Sequence, residues 1–242
     1  MRAGVQPMED LVLHENPANR GLWWVIRYVL RFPTYVLLII ASSLGYFFFA
    51  GVRAFGMIYL TQHYGVSRSV LSALLIIIGV GGILGVVLGG WISEWFLRRK
   101  WFATRVVLPG IALFLSVLFF GPAIWTTSVV LGITLLTFGG AMLGAANPPI
   151  DAARLDIMHP RLWGRAESGR MALRAMLEGG APLLFGALST WLGDSNSGLE
   201  RTYLLMLIPL LIASSLAIPA RRTYPRDVAT AGASARNTLR KT

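Results

Sequence analysis

The sequence predicts an all-α membrane protein with six transmembrane helices and no β-sheet, and three observations carry that expectation. Hydrophobic residues make up 55% of the chain and charged residues only 14%, with a mean hydropathy of +0.62. That is more apolar and less charged than a soluble domain of average composition. Six apolar runs approach or exceed the roughly 20 residues that a membrane helix needs. When those runs alternate across a bilayer, nineteen of the 22 basic residues fall on one side, which is the bias that orients membrane helices.

Residues 1–20 are polar and aperiodic and read as a disordered lead-in. Residues 21–33 read as an interfacial amphipathic helix. Arg27 and Arg31, four apart, stand among Leu22, Trp23, Trp24, Val25 and Ile26, a pattern suited to the plane of the headgroups. Residues 34–220 hold the six-span domain. The first span is expected over 34–60, with Arg53 inside it. The second is expected over 70–92, where Gly81, Gly85 and Gly89 form a four-residue ladder that admits a neighbouring helix closely. The third runs from about 104 to 120. The fourth starts near Ser128 and reaches the Pro148–Pro149 pair. The fifth covers about 165–192, interrupted by Gly179–Gly180 and Pro182, and the sixth about 202–218. Residues 221–242 read as a basic disordered tail.

The stretch from Asn147 to Pro182 organises the rest. It lies between apolar runs yet holds four of the eleven acidic residues and five of the 22 basic ones. Charges beside hydrocarbon are costly and usually pair or line a cavity. One arm carries Asp151, Arg154 and Asp156. The other carries Glu167, Arg170, Arg174 and Glu178 at spacings of three, four and four, which is one face of a helix. Between them, Pro160 stops the first arm and Gly164 suits the turn.

Several function classes drop out. There is no cysteine and the three histidines are far apart in sequence, so thiol chemistry is excluded and a histidine metal cluster is not expected. No Ser–His set or metal spacing marks an enzyme, and no cofactor is implied. The formal charge of +11 is accounted for by the one-sided loops, so no nucleic-acid partner is implied. The side with nineteen basic residues is expected to face the cytoplasm, which places both termini there.

Two segments resemble a known family. Gly90-Trp91-Ile92-Ser93-Glu94-Trp95-Phe96-Leu97-Arg98-Arg99 resembles the loop signature G-x-L-x-D-R-x-G-R-R of the major facilitator superfamily. Gly90, Arg98 and Arg99 match, Glu94 keeps the acid, and Trp95 and Leu97 depart. The region of Asp156, Pro160, Arg161, Gly164, Arg165 and Ala166 resembles that family's D…P…R-G-R-A segment, interrupted by Leu162 and Trp163. It also bears a distant likeness to Spinster-type lipid carriers. Together, in register with six spans, the segments resemble the C-terminal half of such a transporter, spans seven to twelve. The resemblance implies half of a two-half bundle, itself two inverted three-helix repeats.

It also implies a function: membrane transport of a small solute, with or without coupling to a proton, by alternating access. A second six-span half or a second copy of the chain would complete the cavity. The alternative is a non-transporting integral subunit that packs against another membrane protein. By the resemblance, Gly90, Glu94, Arg98, Arg99, Asp156, Arg161 and Arg165 form the cytoplasmic gate. Glu94 would cap the helix starting near Gly164, and Arg98 or Arg99 would pair with Asp156. Arg53, Asn147, Arg174 and Glu178 are the pathway candidates. A competing reading stays open, in which Arg174 and Glu178 neutralise each other and Arg53 snorkels to the headgroups.

Overall fold

The computed structural model describes residues 5–193 and 195–239. Among them are six helical stretches long and apolar enough to cross a membrane, and no strand. Helix α1 is Leu22–Val29, α2 Pro33–Tyr64, α3 Arg68–Arg98, α4 Thr104–Trp125, α5 Val129–Ala145 and α6 Asn147–Asp156. Helix α7 is Trp163–Leu192, α8 Ser195–Ser215 and α9 Ala217–Leu239. Short 3-10 turns lie at Glu9–Leu11, Pro17–Asn19 and Pro160–Leu162.

Local chemistry sets the boundaries. Pro33 opens α2, where its missing N–H costs nothing, and Gly65, in the left-handed region at φ 63°, closes it. Ser67 caps α3 by accepting the Val70 N–H, and Ser128 caps α5 from Leu131. The Pro148–Pro149 pair marks the join of α5 to α6 rather than an end, and the fourth span continues to Asp156. The fifth span differs from expectation: α7 runs without a break through Gly179, Gly180 and Pro182. Hydrocarbon offers no partner to freed backbone groups, so a helix that loses one hydrogen bond at proline stays helical.

Helix α2 is the most buried span, while α3 and α7 are the least. The glycine ladder does what its spacing suggests. A Cβ at Gly85 would overlap the Ala141 backbone and one at Gly89 the Ala145 backbone, so α3 and α5 touch main chain to main chain. Phe185 of α7 fills the space over Gly51 of α2, beside Phe55 and Tyr203.

The two termini correct the expectation of disorder, as far as they are described. Leu11 is buried, and the Met8 and Leu13 amides donate to Thr230 Oγ1 (2.9 Å) and Ser234 Oγ (3.0 Å) of α9. The Tyr28 hydroxyl donates to the Leu11 carbonyl at 2.7 Å, and burial pushes its pKa up to about 12. Helix α9 therefore replaces the expected basic tail over Ala217–Leu239, and a strap from the N-terminus lies against it. Each segment is too polar to fold alone, but each satisfies the other's hydrogen bonds more than 200 residues away in sequence. Arg2, Arg240 and Lys241, counted in the basic bias, lie outside the described residues.

Candidate functional site at the charged end of the bundle

Contacts gather the strap, the start of α2, the α3–α4 turn, α6, the start of α7 and α9 at one end. Three charge networks sit there and just inside it.

The first surrounds Asp156, the last residue of α6. Arg105 Nη1, in the first turn of α4, donates to Asp156 Oδ2, and the Tyr224 hydroxyl of α9 donates to the same oxygen at 2.5 Å. Arg105 Nη2 lies 3.9 Å from Glu94 Oε2, and Arg98 Nε lies 4.0 Å from Glu94 Oε1. The expected pairing is thus corrected: the cation on Asp156 is Arg105, not Arg98 or Arg99. Helix α3 ends at Arg98, and Lys100 at φ 65° turns the chain back, so α4 brings Arg105 to α6 instead. Arg99 stacks on Trp95, with Cζ 3.7 Å from the ring centroid. Glu94 lies between Arg105 and Arg98, and Leu162, at the N-cap of α7, offers no side-chain acceptor of its own. A Cβ added at Gly90 would meet Pro148 at ordinary contact distance.

The second network links α6 to α7. Arg154 is 4% exposed. Its Nη2 donates to Asp151 Oδ1, and its Nη1 lies 3.5 Å from Glu167 Oε2. Arg170, also buried, donates from Nε to both Glu167 oxygens at 3.0 Å. Glu167 is therefore held by one arginine from each arm of the stretch. A cavity of about 330 Å³ opens beside it, bounded by Tyr35, Asp151, Arg154, Leu155, Trp163 and Glu167.

The third lies two turns deeper on α7. Arg174 Nε donates to Glu178 Oε1, and the Arg174 guanidinium covers the Tyr46 ring of α2 at 3.2 Å from the centroid. Both charged side chains are about three-quarters buried, at 31% and 22% exposure. Asn147 makes only a local contact, Nδ2 to the Leu143 carbonyl at 3.5 Å. Arg53 is exposed on α2 and pairs with no acid among the described residues.

Two candidates serve the termini instead. Arg165 Nη1 donates to the Ala18 and Arg20 carbonyls at 2.6 and 2.8 Å, clamping the strap to α7. The Arg161 amide donates to His159 Nδ1, which leaves His159 Nε2 carrying the proton it gives to Thr238 Oγ1 at 2.9 Å. Burial, then the Arg161 charge, holds the His159 pKa below its usual value. Sequence reasoning missed Arg105, Tyr224 and Asp227, each brought to its partner by tertiary packing. The available signal was Asp227, the one acid in a basic segment.

These features define a polytopic helical membrane bundle with its charges paired at one end and along α7. Residues 6–137 match the Organic Anion Transporter Polypeptide (OATP) family, more than half of the chain, and the chain belongs to that family. Its fold is of the major facilitator type. Two solved structures of a bacterial homolog to the human lysosomal transporter Spinster share it. The inward-facing occupied form superposes with a TM-score of 0.69 and covers 81% of this chain and 50% of its own. The inward-facing unoccupied form gives 0.72, 88% and 53%. Each is 19% identical. The chain spans about half the length of these structures. No curated protein matches the chain.

Proposed function

We propose that this chain is one six-span half, corresponding to spans seven to twelve, of a permease that moves a small solute by alternating access. The observation that carries the reading is the Arg174–Glu178 pair of α7, the span the bundle buries least, set against the Tyr46 ring of α2 and still 31% and 22% exposed. A second six-span half, from another polypeptide or a second copy, covers α3 and α7 and encloses the path. Arg174 and Glu178 face the solute, Arg53 and Asn147 flank it, and Glu178 exchanges a proton when solute displaces Arg174.

The gate is the Asp156 network, with Gly90, Glu94, Arg98, Arg99, Arg161 and Arg165 around it. Both termini face the cytoplasm and the protein lies in the plasma membrane. The one-sided basic residues support that orientation.

Flux into proteoliposomes tests the reading. Uptake with a co-reconstituted partner half, lost in Glu178→Gln and Arg174→Ala at normal abundance, supports it. The internally neutralised Arg174–Glu178 pair favours a second reading, a non-transporting subunit, and flux that survives both changes would select it. Cysteines at Thr127 and Lys100, which lie at opposite ends, test the orientation. Labelling of Lys100→Cys from outside intact cells would reverse it.

A further inference from the structure

Six cations at the charged end are held by partners within the bundle. Arg20 pairs with Glu15, Arg98 with Glu94, Arg105 with Asp156, and Arg154 and Arg170 share Glu167. Arg165 is spent on two carbonyls. Arg27 and Arg31 differ. Both are exposed, neither has an acidic partner among the described residues, and they lie four positions apart, Arg27 in the last turn of α1 and Arg31 just after it.

Their surroundings are equally specific. Trp23, one turn before Arg27, is 75% exposed, and Leu22 and Leu30 are 47% and 50% exposed. Positions 23 and 27 share one face of α1, and Arg31 follows in the turn just past the helix end at Val29. The opposite face is fixed: Val25, Tyr28 and Val29 are buried, Tyr28 bonds the strap, and Ile26 packs over Gly169 of α7. So α1 cannot roll to hide its outer side. Arg31 stands two residues before Pro33, where the first span begins, which sets this face at the level of the headgroups.

We propose that the outer face of α1 and of the turn that follows it is a binding site for an anionic phospholipid, with Arg27 and Arg31 on the headgroup phosphate and Trp23 and Leu30 against the glycerol and upper acyl chain. The chemistry fits one occupant. Two unpaired guanidiniums call for a phosphate, since arginine forks match its oxygens. An exposed tryptophan beside them is the side chain that prefers the bilayer interface. Because α1 packs on α7 at Gly169, beside Arg170, the bound lipid also steadies the start of α7 and the strap. This assignment does not depend on the transport reading.

Full-length protein in a neutral detergent is titrated with phosphatidylglycerol, and bound lipid is counted by native mass spectrometry. Each Arg→Ala change at 27 or 31 is expected to weaken binding about 5-fold, and the pair about 30-fold, from roughly 1 kcal/mol per basic residue at an anionic surface. The Arg27→Lys/Arg31→Lys pair, which keeps charge and fold, retains binding within about threefold. Trp23→Ala weakens it without changing the preference over phosphatidylcholine. Three outcomes overturn the site: the Arg27→Ala/Arg31→Ala protein binding within twofold of wild type, equal loss in the charge-matched Arg221→Ala/Arg222→Ala control, or displacement of the lipid by millimolar inorganic phosphate.

Discussion

Helix α2 is capped by a residue 193 positions away, and removing that cap gives the sharpest stability test. Phe32, at the N-cap, offers no side-chain acceptor. Asp227 of α9 supplies it: Oδ2 accepts the Thr34 N–H at 2.9 Å, with Asp227 1% and Thr34 0% exposed. A carboxylate at a helix N-terminus gains from the dipole, typically ~0.3–1 kcal/mol, and a hydrogen bond to a charged group contributes about 1.5–3 kcal/mol. Asp227→Ala leaves a buried amide without an acceptor, and the Thr34–Thr223 hydroxyl contact at 2.6 Å cannot replace it. The expected loss is roughly 2 kcal/mol, or about 4–8 °C in Tm for a chain of this size. Asp227→Asn keeps an acceptor and should lose about half as much. Thermal unfolding in detergent measures the loss, and hydrogen exchange at Thr34 locates it. A Tm within 1 °C of wild type, or unchanged protection of Thr34, would refute the capping argument. So would an equal loss in Arg226→Ala, an exposed neighbour.

The other predictions are independent of that one. Gly85→Val should prevent close packing of α3 on α5, because its Cβ would overlap the Ala141 backbone; loss of a monodisperse folded peak is expected, whereas Gly79→Ala, with open space around it, should be silent. Arg105→Ala should destabilise by about 1–2 kcal/mol by leaving the partly buried Asp156 carboxylate to Tyr224 alone, while Arg98→Ala, on an exposed pair, should change stability by less than ~0.5 kcal/mol. His159 has a folded pKa below its unfolded value of about 6.5. Its contribution is therefore complete above that value and is lost as pH falls through the folded pKa. The strap–α9 end should melt earlier at pH 5 than at pH 7.5, and His159→Gln should flatten that difference in a thermal scan.

What the sequence made legible was what depends on local spacing. Apolar run length set the number of spans, and the glycine ladder at Gly81, Gly85 and Gly89 set the α3–α5 contact. The helical face from Glu167 to Glu178 set the α7 charge pairs. The Pro160 stop appears as the turn Pro160–Leu162 between α6 and α7. What was not legible depends on partners distant in sequence. The Asp156 cation was sought among Arg98 and Arg99 because the motif puts them there, but the α3–α4 turn faces them outward and α4 presents Arg105. The strap and α9 each read as disordered because each is polar. Their order comes from the Met8–Thr230 and Leu13–Ser234 bonds, which no composition window contains. Proline and glycine in α7 read as a break because in water they would be one.

The charge pattern explains how so basic a chain tolerates its apolar setting. Every acid of the organising stretch is used: Asp151 by Arg154, Asp156 by Arg105, Glu167 by two arginines and Glu178 by Arg174. The deeper a cation lies, the more completely it is neutralised, as the cost of an unpaired buried charge requires. The surplus is left where it is cheap, on Arg27, Arg31, Arg161, Arg221 and Arg222, all exposed. Arg53 breaks that order. It sits inside a span with no acid beside it, and among the described residues of α2 it is the one cation between Pro33 and the helix end at His63 and Tyr64. An exposed guanidinium at that depth requires an acceptor from outside the bundle, so Arg53→Ala should raise thermal stability of the isolated chain while Arg53→Lys leaves it unchanged. Destabilisation by Arg53→Ala would mean that the acceptor lies within the bundle after all.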